Sequence, residues 1–239
     1  MLRCSSLVAM QQPSRRGRAL PWQPAGRMLS GMRPEAVLEY WFADIGEDRS
    51  ALPGRMRLWF GSEQDTGADV AARDAALAER FEPYLAALRH GQLDDWAAAA
   101  AGRLALILLT DQFPRSIYRG RAEAFSLDTE ARSLCVTGLE LGQDRELAPF
   151  ERAFFYLPLE HSESLEDQRR CVALFAELER VAPAGLRDAM AGFTRFAVAH
   201  HDIVMRFGRF PHRNRALGRP NTPEEAAYLA GDAPGFGQR

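Results

Sequence analysis

The chain has 239 residues, of which 46% are apolar and 26% are charged, and this composition excludes a disordered, collagen-like or disulfide-scaffold protein. The formal net charge is −2, and every basic residue other than histidine is an arginine. The three cysteines, Cys4, Cys135 and Cys171, are far apart in the sequence. Their spacing fits a reducing compartment and matches neither a zinc finger nor a disulfide framework.

The charge is divided unevenly along the chain. Residues 1–34 hold six arginines and no acidic residue, whereas 24 arginines and 32 acidic residues follow, a net charge of −8. We interpret residues 1–33 as a disordered basic leader or as the product of a misplaced start, with Met28 or Met32 as the true first residue. The alternative is an organelle transit peptide, which is typically rich in arginine and poor in acids.

The acidic body also limits the partners of the protein. A clustered basic face, which nucleic-acid binding requires, is absent from the sequence pattern. The longest strongly apolar run, residues 104–109, is much shorter than the ~18 residues that span a bilayer. We therefore expect a cytoplasmic protein that binds neither nucleic acid nor a membrane.

The first elements are predicted from apolar spacing and from helix breakers. A helix begins at Pro34, and a loop containing Pro53 and Gly54 follows as far as Gly61. The next helix is predicted over residues 65–90, with a break before Pro83.

Helical spacing continues to the end of the chain. The helix that begins at Asp94 or Asp95 is predicted to end at Pro114, and a later one over 150–157 to end at Pro158. Ser164 and Thr222 are predicted helix caps. Further helices are predicted over 123–141, 164–181, 186–207 and from 222 onwards. Residues 34–239 are thus expected to form a single all-α domain of roughly eight to ten helices, packed as antiparallel hairpins.

Three segments are too polar for ordinary helix packing, and the first is residues 111–120. Asp111 follows a strongly apolar helix and needs a partner, for which Arg115, Arg119 and Arg121 are candidates. One interpretation is an Asp–Arg clamp that holds the loop. The other is a set of guanidinium groups that binds a carboxylate or a phosphate.

The second polar segment is residues 151–163. Arg152 and Tyr156 are four apart and share a helical face, while Glu151 begins the adjacent stripe. If Pro158 ends the helix, Glu160 and His161 project from a turn. A carboxylate beside an imidazole can act as an acid and a base, although such pairs more often only fix a loop.

The third polar segment is residues 200–214, with Arg215 directly after it. His200 shares helical spacing with Phe193, Phe196, Val204 and Phe207, which predicts a histidine in the core. The segment is otherwise rich in donors that suit an anion. The alternative interpretation is that its arginines neutralise the acidic body. These donors are Arg206, Arg209, His212, Arg213, Asn214 and Arg215.

The sequence predicts no metal and no cofactor. Neither a His-Glu-x-x-His nor a Glu-x-x-His motif is present, and neighbouring His200 and His201 point about 100° apart on a helix. No glycine-rich phosphate loop and no nucleophile elbow occurs either. Cys135 and Cys171 fall among apolar residues of helices and are expected to be buried and inert.

The three polar segments carry a family resemblance. The motif from Asp111 to Arg115, the run from Tyr156 to Glu163 and the run from Arg206 to Asn214 resemble the bacterial domain-of-unknown-function 924 family. Residues 37–42 resemble the start of that family, so the resemblance extends from about residue 34 to the end. It implies a tetratricopeptide-like α–α superhelix but no activity. It also favours His200 over His201 as a functional residue.

Three hypotheses of function follow. The first is a helical protein that binds an anionic small molecule or peptide on a concave surface. The second is a hydrolase or lyase that uses a His–carboxylate pair, with His161, His200 and Glu160 as candidates. The third is a buried Arg–carboxylate network with a purely structural role. The candidate ligand-binding residues are Asp111, Arg115, Arg119, Glu151, Arg152, Tyr156, Glu160, His161, His200, Arg206, Arg209, His212, Arg213 and Asn214.

Overall fold

A computed structural model describes residues 31–43, 45 and 51–231, and most of the predicted basic leader lies outside these ranges. Within them the chain is all-helical and has no β-strand, which confirms the predicted fold class. The tetratricopeptide-like arrangement of the helices stays a prediction. The α-helices are α1 (Pro34–Phe42), α2 (Leu52–Phe60), α3 (Gly67–Arg89), α4 (Ala100–Ile107), α5 (Phe113–Ile117), α6 (Asp128–Glu140), α7 (Pro149–Glu160), α8 (Leu165–Val181), α9 (Arg187–Phe207) and α10 (Pro223–Ala230).

The segment predicted as a loop around Pro53 is helix α2, so that prediction was wrong. Pro53 lies in the first turn of α2, where its missing N–H costs nothing. Gly61 ends the helix with a positive φ of 76°. The Trp59 indole donates to the main-chain oxygen of Trp41 at 3.0 Å, which ties α2 to α1.

Prolines inside the helices account for the next corrections. Helix α3 runs without a break past Pro83, because Phe81 and Leu85 on either side of it are buried in the core. Helix α7 likewise continues past Pro158 to Glu160. Glu160 therefore belongs to the helix and His161 caps it, so neither projects from a turn beyond Pro158.

The helix predicted to end at Pro114 also continues beyond it. After α4, residues 108–112 form one wider π-helical turn, and Pro114 then lies in the first turn of α5. The wider turn places Asp111 at a fully buried position. A π-turn inside a helix is rare and is frequently found at functional sites.

The remaining helix boundaries mostly follow the predictions. The Ser164 hydroxyl accepts from the Asp167 N–H at the start of α8, and Thr222 forms a capping box with Glu225 at α10. In contrast, the helix predicted from residue 123 begins as a regular helix only at Asp128.

A core rich in aromatic residues holds α1, α2, α7 and α9 together. Phe154 of α7 is fully buried, and its ring contacts those of Trp41, Trp59 and Phe193. Cys135 and Cys171 are buried and free, and burial raises the pKa of both thiols, which confirms the prediction that they are buried. No helix among the described residues is long and apolar enough to cross a membrane.

Candidate functional site

A cavity of about 610 Å³ opens between α1, α2, α3, α5, α7 and α9. Its apolar wall is largely aromatic, and its polar lining includes the end of α7 and one turn of α9. The aromatic lining residues are Tyr40, Trp41, Trp59, Phe60, Phe193 and Phe196. A large cavity with an apolar wall and a few convergent polar groups is the usual form of a small-molecule site.

His161 lines the cavity and is oriented from behind by Asp111. The His161 Nδ1 lies 2.8 and 2.9 Å from the two carboxylate oxygens of Asp111, and Arg115 donates to the same carboxylate at 3.0 Å. Burial alone would raise the pKa of Asp111, but His161 and Arg115 hold it well below the ordinary value. Asp111 is therefore an anion at neutral pH, and His161 donates a hydrogen bond from its Nδ1–H to it.

Glu160 is the second polar group of the cavity. Its side chain is only 5% exposed, and its Oε2 has no hydrogen-bond partner among the described residues. Burial and the negative charge of Asp111 raise the pKa of Glu160 to about 8. In the absence of a bound cation this carboxyl therefore holds its proton at neutral pH, and it can donate a hydrogen bond to a ligand.

His200 is buried as predicted, and it also lines the cavity. Its Nδ1 donates to the main-chain oxygen of Phe196 at 2.8 Å and lies 3.4 Å from the Oε1 of the Glu160 carboxyl. Burial, with a smaller effect of His161, lowers the pKa of His200 to about 3. The ring is thus neutral at physiological pH. Phe196, predicted to share this buried stripe, is instead 55% exposed at the cavity.

Two of the arginines predicted to bind ligand, Arg115 and Arg119, line the cavity. Arg119 donates through two nitrogens to Asp74 of α3, at 2.7 and 2.9 Å. Arg115 bridges Asp111 and Asp128, at 3.0 and 2.7 Å. The first polar segment therefore contains the predicted Asp–Arg clamp, and it also contributes to the cavity.

The predicted site residues Glu151, Arg152 and Tyr156 of α7 lie outside the lining of the cavity. The Glu151 carboxylate accepts from the N–H of Ala148 at 2.8 Å and caps the helix. Arg152 donates to the Tyr156 hydroxyl at 3.0 Å, as their four-residue spacing predicts, and that hydroxyl donates to Asp144 at 2.7 Å. These predicted site residues are thus engaged in internal contacts, and none of them lines the cavity.

The arginines of the third polar segment also lie outside the cavity lining. Arg206 pairs with Glu224 at 2.8 Å, and Arg209 pairs with Glu225 at 2.6 Å. Arg213 pairs with Asp128 at 3.0 Å. These contacts join the segment to α10 and to α6.

Two further residues of the third segment, Asn214 and His212, also make contacts within the protein. Asn214 donates to Asn221 at 2.8 Å, within the segment that leads to α10. The ring of His212 packs 5.4 Å from that of Phe210, and burial lowers the pKa of His212 to about 3. Both residues lie outside the lining of the cavity.

The sequence interpretation missed the α2 and α3 side of the cavity. Trp59 and Phe60 belong to the segment read as a loop, and Arg73 and Asp74 lie in a helix whose polar residues look ordinary. The pair of large aromatic residues directly before Gly61 was the available signal. Pro53 and Gly54 instead predict a loop over this segment.

The fold and the cavity define a class of protein: an all-helical protein with an aromatic-walled cavity whose polar side carries a Glu–His–His cluster. The sequence pattern of the bacterial proteins of unknown function DUF924 matches residues 37–233. The chain therefore belongs to the DUF924 family, as the resemblance of its polar segments predicts.

A solved structure agrees with this assignment. A protein of unknown function from Agrobacterium tumefaciens, ATU0120, is 37% identical in sequence. The similarity covers 76% of this chain and 98% of the other, with a TM-score of 0.60. A comparison with curated proteins found no match.

Proposed function

We propose that this protein binds a small organic molecule with an apolar body and an anionic group, and that the cavity is its binding site. The observation that carries the proposal is the combination of an aromatic wall with polar groups that converge on one side. The aromatic rings of Trp59, Phe60 and Phe196 suit the body of the ligand. Arg115 and Arg119 suit a carboxylate or phosphate, because their guanidinium groups bring positive charge to the polar side of the cavity.

The proposal keeps the small molecule of the sequence-based hypothesis and sets aside the peptide. A cavity of about 610 Å³ lies within the range of roughly 300–1,000 Å³ that is typical of small-molecule sites. The protonated carboxyl of Glu160 can donate to the ligand, and the His161 imidazole can accept from it. We also propose the cytoplasm as the place where the protein meets this ligand.

A thermal-shift screen of carboxylate- and phosphate-bearing metabolites on the full chain tests the proposal. A ligand of the cavity should raise the melting temperature of the protein, and Arg119→Gln should weaken its binding. Arg206→Gln is the matched control, because this arginine also pairs with a carboxylate but lies outside the cavity lining. Equal loss of binding in both variants, or no binding by any anion tested, would contradict the proposal.

A second candidate function is catalysis, and the contact between Asp111 and His161 favours it. A buried carboxylate that holds the Nδ1 proton of a histidine leaves Nε2 as a proton acceptor. Glu160, the adjacent protonated carboxyl, is a proton donor. Such a pair supports hydrolysis or elimination. The test is to incubate a ligand found in the screen with the protein and with His161→Gln, and to follow products by mass spectrometry.

A further inference from the structure

Three side chains that line the cavity have the composition of a metal site. Glu160 and His161 come from the end of α7, and His200 comes from the facing turn of α9. One potential ligand atom of each lies within 4.8 Å of those of the other two. The sequence did not reveal this cluster, because the two histidines are 39 positions apart on different helices and match no spacing motif.

Both imidazoles have a fixed tautomer. The Nδ1 of His161 donates to Asp111, and the Nδ1 of His200 donates to the main-chain oxygen of Phe196. In each ring the lone pair therefore lies on Nε2. A histidine that binds a metal almost always donates a hydrogen bond from its other nitrogen to a carboxylate or to a main-chain carbonyl. His161 has the carboxylate partner and His200 has the carbonyl partner.

The carboxylate of the cluster supplies an independent observation. Glu160 is buried, and its Oε2 has no hydrogen-bond partner in the part of the chain that the structure describes. A buried polar atom without a partner is unfavourable unless something binds it. Because Glu160 lines the cavity, that partner can enter from the cavity side.

We propose that Glu160, His161 and His200 bind a divalent transition-metal ion of the zinc type. Two imidazole nitrogens and one carboxylate oxygen form a donor set that zinc enzymes use, with the remaining coordination position open. Here that position would face the cavity. The ion would bind the lone pair of His161 Nε2, which is the proton acceptor in the catalytic hypothesis. In the metal-loaded protein His161 therefore cannot act as a proton acceptor.

The inference deepens the proposed function and rests on it for the role of the ion. The cavity lining includes three arginines, Arg73, Arg115 and Arg119, and four acidic residues. Each of the three arginines also pairs with a carboxylate, which offsets part of its positive charge. A bound cation would add positive charge on the side of the cavity where Arg115 and Arg119 attract the anionic group of the ligand. Binding of the ion can nevertheless be measured without any ligand.

The experiment is a titration of the full chain with Co²⁺, after treatment with EDTA and dialysis, followed through the visible absorption of the bound ion. We expect one Co²⁺ per chain, displaced by Zn²⁺. Loss of a contact that supports a metal ligand typically weakens metal affinity by about 10–100-fold. Glu160→Gln and His200→Gln each remove a proposed ligand, so each should weaken the affinity for Co²⁺ by at least that factor. Asp111→Asn, which removes such a contact from His161, should weaken it by about that range. His201→Gln, next to His200 but outside the cavity lining, is the matched control and should bind as the parent does.

The variants are compared only where circular dichroism shows the parent helix content, and the glutamine substitutions keep a similar side-chain volume for that reason. Co²⁺ binding that is equally strong in the parent, Glu160→Gln and His200→Gln would overturn the metal site, and so would an absence of binding to the parent. Repeating the metabolite screen with the Co²⁺-loaded protein separates the two proposals. If Co²⁺ binds as expected but no anion binds, the metal site stands and the proposed function fails. If an anion binds equally with and without Co²⁺, the proposed function stands and the role of the ion fails.

Discussion

Arg213 donates to the main-chain oxygen of His161 at 2.9 Å, across 52 positions of the sequence. Its other terminal nitrogen donates to Asp128 at 3.0 Å. Arg213 is only 5% exposed, and burial lowers the pKa of its guanidinium to about 10. The third polar segment therefore supports the cavity from behind by holding the end of α7 in place.

This arrangement predicts that Arg213→Ala is destabilising. Asp128 keeps its contact with Arg115, but the main-chain oxygen of His161 loses its donor, so we expect a loss of about 1–3 kcal/mol in the free energy of unfolding. Urea denaturation followed by circular dichroism gives the free energy of unfolding. Arg206→Ala is the control, because Arg206 and Glu224 are both more than half exposed and such pairs contribute at most about 1 kcal/mol. Similar losses in the two variants would show that Arg213 has no special structural role.

The contact of Glu225 with Arg209 should make the stability of the fold depend on pH. Hydrogen bonds from Arg209 lower the pKa of this buried carboxylate to about 2, from an ordinary value of 4.5. A pKa lowered by folding contributes stability that is present above about pH 4.5 and is lost as the pH falls toward 2. We expect Glu225→Gln to be less stable than the parent at pH 7.

The contribution of the Glu225 carboxylate is measured as the free energy of unfolding of the parent and of Glu225→Gln, from pH 7 down to pH 3. The difference between the parent and Glu225→Gln should shrink with acidification, and a constant difference would contradict the prediction. Glu224→Gln is the matched control, since Glu224 is exposed and pairs with the exposed Arg206. It should change stability by less than about 1 kcal/mol at pH 7.

The helical class followed from the sequence because it depends on apolar spacing, which is local. The errors fall where packing overrides a local signal. Pro83 predicts a break, yet the buried side chains of Phe81 and Leu85 hold the helix through it. Pro158 predicts a turn, yet Leu157 and Leu159 are buried on either side of it.

The candidate site could be predicted only in part, because its residues meet through the tertiary fold. The sequence predicts that Asp111 needs a partner, and Arg115 is one of its three candidates. The contact of Asp111 with His161, 50 positions away, depends on how α7 packs against the π-helical turn. No spacing rule reports such a contact, and the same holds for the pairing of Arg213 with Asp128.

Substitution by alanine should have opposite effects on stability at Gly102 of α4 and at Gly192 of α9. A Cβ at Gly102 would overlap the main-chain oxygen of Trp96, and a backbone atom cannot move aside cheaply. At Gly192 the nearest atom is the flexible end of Arg195, 3.8 Å away. We expect Gly102→Ala to destabilise the fold by about 1–3 kcal/mol and Gly192→Ala to be neutral or stabilising by up to about 1 kcal/mol. Thermal unfolding of the two variants measures this, and a Gly102→Ala protein as stable as the parent would contradict the close packing of Gly102 against the main chain of Trp96.

The variant Asp111→Asn tests how much the stability of the fold depends on the carboxylate that contacts His161. Asp111 is fully buried and accepts hydrogen bonds from both His161 and Arg115, so a neutral amide leaves the buried charge of Arg115 only partly compensated. We expect a loss of about 3–5 kcal/mol in the free energy of unfolding. Asp202→Asn is the matched control, because Asp202 contacts the adjacent His201 at 3.1 Å with a side chain that is 60% exposed. Its loss should stay below about 1 kcal/mol, and an equally small loss in Asp111→Asn would show that the buried carboxylate contributes little to stability.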